Sequence, residues 1–278
     1  MAMRSSQARA KLVDCTGPGA GSGAELILVE GDSAMHSVVA VRNDRLQAVL
    51  PLQGKPLNAW DATEAKVAQH VLFRQLAEAL GLARPTALSA DELARLRYDR
   101  VVLLFDPDAD GIHIGALMLL YFQRWLPGLV EAGRVWLVRA PMFELVAPVA
   151  AGGAGAGTAT GAGAGTDTDT DTGTDTDTDT ATATATDIAT ATDIGIGTAA
   201  VAVRHAYHPA QCRELAEAMR VASGGGAVRV QAHRGLGSIA PAVLRALCVD
   251  PATRVGHAIG ARDVQAVIEV FGGGGSAR

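Results

Sequence analysis

RVVLLFDPDADGIHIGALMLLYFQRWL, residues 100–126, carries three signals in succession. RVVLLF (100–105) is a continuous apolar run after its arginine, the pattern of a strand buried on both faces. It breaks into DPDADG (106–111), a stretch of turn-forming residues. IHIGALMLLYFQRWL then follows, apolar on most sides of a helical period, which predicts a helix sunk in the core. Strand, acidic turn and buried helix in that order are the repeating unit of an α/β fold. The acids fall at the carboxyl end of the strand, where ligands gather in such sheets.

The same alternation extends outward. ELILVE (25–30) is a second short buried strand, and GDSAMHSVVAV after it predicts a helix with Asp32 or Ser33 near its N-cap. LQAVLPL (46–52) reads as a strand closed by the turn QGKP, and RVWLVR (134–139) as a fourth strand. Residues 63–80 have helical apolar spacing and stop at Gly81, and DELARLR (91–97) is a shorter helix. This pattern predicts a parallel sheet covered on both faces by helices. Beyond residue 200, PAQCRELAEAMRVA predicts a helix, VRVQAHRGLG a strand and turn, and two short helical patterns finish the chain.

Composition separates one segment from the rest. Residues 151–200 are almost wholly Gly, Ala, Thr and Asp, with eight Asp and no Lys or Arg. Those eight negative charges exceed the net charge of −5, so the remainder of the 278 residues carries +3. Mild basicity permits a nucleic-acid partner without requiring one. Such a tract buries too little apolar surface to offset backbone ordering, and disorder is the expectation. The expected division is therefore a flexible lead-in (1–23), an α/β domain (24–148), a low-complexity insertion (149–200) and a C-terminal region (201–278). No apolar run is long enough to span a membrane, and the start lacks the apolar core of a secretory signal. Cys15, Cys212 and Cys248 are odd in number and unpaired by spacing, which supports neither a disulfide framework nor a zinc site. A reducing cytoplasm is the expected compartment.

Asp106, Asp108 and Asp110 crowd three carboxylates beyond a buried strand. Repulsion and burial both penalise their ionised forms, a penalty that Mg²⁺ removes by accepting carboxylate oxygens while keeping positions for water and phosphate. The alternative reading is a solvated acidic turn. An EF-hand is excluded, because its twelfth position, counted from Asp106, is Leu117. Glu30 ends the other strand and precedes a glycine, so paired with the cluster it fits a metal ligand or a general acid/base. His113 reads as a residue capping the following helix.

VEGDSA (29–34), LPLQGKPLN (50–58), LRYDRVVLLFDPDADGIHI (96–114) and HRGLG (233–237) resemble, in order, the toprim region of bacterial type IIA topoisomerase B subunits, gyrase B and topoisomerase IV B. KLVDC (11–15), VRAPMFELV (138–146) and DPATRV (250–255) are similar to segments flanking that region. The resemblance implies a toprim fold and Mg²⁺-dependent DNA cleavage shared with an A-type subunit that supplies the tyrosine. It assigns Glu30 as general acid/base and metal ligand, Asp106, Asp108 and Asp110 as metal ligands, and Lys55 as a DNA or phosphate contact. Arg234 stands where the family has lysine and implies a phosphate contact, although the two cations differ in geometry.

The chain also departs from the family. Met35 and His36 replace a glycine pair, and SVVAVRND (37–44) replaces a basic stretch, leaving Arg42 and Arg45 as its positive charges. Pro56 replaces an aliphatic residue, Pro107 removes a backbone donor between two acids, and Ser238 and Ile239 replace an acidic residue and methionine. No nucleotide-binding motif occurs, so the family's ATPase domain and an ATP site are expected to be absent from this chain. Tyr98 and Tyr121 are expected as packing residues rather than cleavage tyrosines. Two other functions remain open: a regulator that binds DNA or a topoisomerase subunit, and a nuclease acting alone.

Overall fold

A computed structural model describes residues 11–82, 88–149 and 201–271. Most of the expected low-complexity insertion and the first residues of the expected lead-in lie outside the described residues. In chain order the elements are β1 (Glu25–Val29), α1 (Asp32–Val39), β2 (Gln47–Pro51), α2 (Glu64–Gln69), α3 (Val71–Leu80), α4 (Ala90–Leu93), β3 (Arg100–Phe105), α5 (Ala109–Trp125), α6 (Pro127–Glu131) and β4 (Val135–Arg139). There follow β5 (Phe143–Pro148), β6 (Val201–Ala206), α7 (Pro209–Ala222), β7 (Arg229–Ala232), α8 (Pro241–Leu244), β8 (Gly256–Ala258) and α9 (Ala261–Phe271).

The chain divides into two compact units. Among the described residues, the first comprises 11–82, 88–144, 205–212 and 231–271. Its sheet has the order β2-β1-β3-β4-β8, with the first four strands parallel and β8 antiparallel to β4. The mixed α/β architecture with a parallel-dominated sheet flanked by helices agrees with the sequence reading. β1 and β2 are buried throughout, and β3 is buried after Arg100, as continuous apolar runs require. Phe73 of α3 stacks on Tyr121 of α5 at 4.0 Å, and Tyr98 and Tyr121 are both buried, as packing residues should be.

Several details differ from expectation. The helix expected over 63–80 breaks at His70, which has an extended ψ of 122°. Val67 and Leu76 lie nine residues apart, which in an unbroken helix puts them roughly 180° apart around the axis. The break lets both be buried. α1 is capped by the backbone of Gly31 with no side-chain cap, and the Asp32 carboxylate instead accepts from Lys11 at 2.5 Å and Gln53 at 3.1 Å. Residues 11–23 of the expected lead-in are tied to the first unit: Val13 bridges Val49, and the amides of Gly21 and Gly23 donate to Asp99.

Among the described residues, the second unit comprises 145–149, 201–204 and 213–230. It holds most residues of a three-stranded sheet of order β6-β5-β7. An apolar hollow of about 280 Å³ within it is lined by Ala147, Leu215, Met219 and Ala222, among others. None of the four acids lines this hollow, so it is not the candidate site.

Candidate acid-cluster site

The order β2-β1-β3 places the reversal of chain direction across the sheet between β1 and β3. Ligands of open α/β sheets sit beyond the carboxyl ends of strands at such a point. Leu28 pairs with Leu103, so Glu30 and Asp106 leave neighbouring strands within one residue of level. The fold thus brings together two acids that are 76 positions apart in the chain.

Three of the acids have partners. Asp106 Oδ1 accepts from the Leu236 amide at 2.9 Å, and Asp108 caps α5 by accepting from the Gly111 amide at 2.9 Å. Asp110 is exposed and pairs with Lys55 at 3.0 Å, and Lys55 also lies 3.3 Å from His113 Nδ1. His113 therefore does not cap the helix. It sits within α5 and stacks on Phe271 of α9 at 5.4 Å. Glu30 is different: its Oε2 is buried with no hydrogen-bond partner.

The electrostatics follow from this crowding. Burial pushes the Glu30 carboxyl above its ordinary value, and the charges of Asp106, Asp108 and Asp110 push it further, opposed by Lys55. Burial likewise raises Asp106, against the Leu236 amide, which favours the ionised form. An uncompensated buried oxygen beside three carboxylates is a donor set suited to a hard cation. Among the described residues, however, no three His, Cys, Asp or Glu side chains converge to hold a metal ion by themselves. Mg²⁺ tolerates that arrangement, because it is commonly bound through one or two carboxylates with water and substrate phosphate. The residues present fit such an ion.

The remaining expected contacts are dispersed around the acids. Lys55 follows β2 and is committed to Asp110, while Arg234 is exposed on the segment after β7. Arg42 donates to the carbonyls of Val13, Gln47 and Asp14, so its cation serves the fold. Two residues whose contact the sequence reading did not give are Gly235 and Leu236, which lie against Asp106. In the sequence their motif, HRGLG (233–237), reads as a turn, and its partner is visible only in the fold.

Residues 25–140, which hold this parallel sheet, match the Toprim domain family. Over this region the chain is similar to the B subunits of bacterial type IIA DNA topoisomerases. It is 39% identical over 135 residues to the B subunit of DNA topoisomerase 4 from Pseudomonas aeruginosa, covering 49% of this chain and 21% of that protein. It is 39% identical over 136 residues to the B subunit of DNA gyrase from Staphylococcus aureus, covering 49% and 20%. The matched region thus spans about a fifth of the length of these relatives.

Proposed function

We propose that this chain supplies the acid-cluster half of a type IIA DNA cleavage centre, acting in the cytoplasm with an A-type subunit that carries the tyrosine. The observation that carries this reading is the buried, unpartnered Glu30 oxygen beside three aspartates. The tyrosine gives its hydroxyl proton to solvent as its oxygen bonds to phosphorus and the bond to the deoxyribose oxygen breaks, and religation reverses both the exchange and the proton transfer. Glu30 delivers a proton to the leaving oxygen and takes it back on religation, a task suited to a carboxyl with a raised pKa. Glu30, Asp106, Asp108 and Asp110 would hold Mg²⁺ between them, one or two ligating it directly and the others through water, and Lys55 and Arg234 would bind flanking phosphates. Bound Mg²⁺ supplies charge stabilisation to the transferring phosphoryl group.

A second reading, a regulator that binds DNA or a topoisomerase subunit without cleaving, draws support from the Lys55–Asp110 pair, which neutralises one of the four acids. Cleavage of supercoiled plasmid with Mg²⁺, with and without an A-type subunit, separates the two. Covalent adducts trapped by denaturant should require both proteins and fall about 10²- to 10⁴-fold in Glu30→Ala. Binding to the A-type subunit without adducts selects the regulator. Nicking by the chain alone selects a nuclease.

A further inference from the structure

We infer that the turn His233–Ser238 is the positioning element of the acid cluster, with the Gly235–Leu236 peptide fixing the carboxylate of Asp106. The inference rests on the reading of Asp106 as a Mg²⁺ ligand. The contact itself spans 130 residues: the Leu236 amide donates to Asp106 Oδ1 at 2.9 Å. Gly235 is extended, with φ −178° and ψ 171°, a conformation open to any residue. Its glycine is explained by space instead. A Cβ there would lie 2.7 Å from Asp106 Oδ2 and 3.1 Å from Cγ. The peptide therefore packs directly against the carboxylate and restricts its rotamers.

The turn is itself held on several sides. Leu236 and Ile239 are buried, and so is His233, whose amide donates to the Met142 carbonyl at 2.8 Å. Ser238 Oγ accepts from the Arg234 amide at 3.2 Å and donates to the Gly235 carbonyl at 2.7 Å, closing the loop on itself. A Cβ on Gly237 would stand 3.2 Å from Ser33 Oγ and 3.6 Å from Ser37 Oγ, both on the helix that follows Glu30. One turn thus touches Asp106 on one side and the Glu30 helix on the other. Groups that orient metal ligands in this way typically change metal affinity 10- to 100-fold when altered.

The test uses the full chain and Mn²⁺ as the probe, with affinity read from the loss of free-ion EPR signal. Gly235→Ala should weaken Mn²⁺ binding about 10- to 100-fold while the thermal midpoint moves little. An independent readout is the Leu236 amide, which should shift in its ¹H–¹⁵N resonance and lose exchange protection in Asp106→Ala. Wild-type Mn²⁺ affinity in a folded Gly235→Ala variant, or an unmoved Leu236 amide in Asp106→Ala, overturns the inference. If Gly235→Ala does not fold, the amide measurement decides it. A wild-type chain that takes up no Mn²⁺ overturns the metal reading instead, and the Leu236 response still decides whether the turn holds Asp106.

Discussion

Tyr98 is 1% exposed and donates its hydroxyl to Asp14 Oδ1 at 2.7 Å. Arg97 pairs with the other oxygen, and the Cys15 amide donates at 2.8 Å. Burial alone lifts the Asp14 carboxyl, but these donors outweigh it and hold the group below its ordinary value. Burial, reinforced by the bond to Asp14, pushes the Tyr98 phenol well above the usual range. A depressed carboxyl contributes stability above its unfolded pKa of about 4, and that contribution is lost as pH falls through the folded value. Tyr98→Phe removes one donor and leaves Arg97 and Cys15 in place. We expect it to lower the unfolding free energy by about 1–3 kcal/mol at pH 7. Its stability should also fall less steeply with acid below about pH 4, measured by urea unfolding across a pH series. Identical acid slopes in the two proteins would show that Asp14 draws its stabilisation elsewhere.

At the level of the element, the link from β3 to α5 is set by Gly111. A Cβ there would lie 2.1 Å from the backbone oxygen of Asp106, a contact that only movement of the turn can relieve. Alanine gains at most about 1 kcal/mol of helix propensity over glycine, too little to offset such an overlap. Gly111→Ala should therefore cost about 3 kcal/mol or more, read from denaturant unfolding, and a neutral substitution would mean that the turn relaxes freely. This turn was legible in the sequence because all its determinants are local: a continuous apolar strand, three acids and a glycine within twelve residues, 100–111. β8 was not legible, because GHA (256–258) is three exposed residues without a period, and its pairing with β4 is decided by tertiary packing. The break at His70 was missed for a related reason. Helical spacing on each side is sound, and only the burial of both Val67 and Leu76 reveals that the two faces are out of phase. Glu30 and the aspartates could be named from their places at strand ends, whereas the Leu236 contact required the folded chain.

Across the whole first unit, the acids at the carboxyl ends of the strands are matched by a buried ionic network at the amino ends. Glu25 opens β1 and binds Arg254 through two hydrogen bonds of 2.6 and 2.7 Å, with both side chains 2% exposed. Gln47, at the start of β2, donates to Glu25 at 3.0 Å and to the Val249 carbonyl at 2.8 Å. Arg100, at the start of β3, adds a longer contact to Glu25 at 3.5 Å. Arg100 and Arg254 also lie 5.1 and 5.6 Å from the ring centre of Trp136 on β4. The network therefore joins four parallel strands to a segment 229 residues downstream of Glu25. Forming the pair removes two charges from water, so the pair's net contribution is small, but losing one partner strands the other. Arg254→Ala should cost about 3–5 kcal/mol, because Glu25 then retains only Gln47 and the more distant Arg100. The double substitution Glu25→Met with Arg254→Met should recover most of that loss, since it leaves no unpaired buried charge. Urea unfolding of Glu25→Met, Arg254→Met and the double variant closes the cycle. Additive losses would mean that the two side chains act independently, and that Arg254 anchors the C-terminal segment through packing on Trp136 rather than through Glu25.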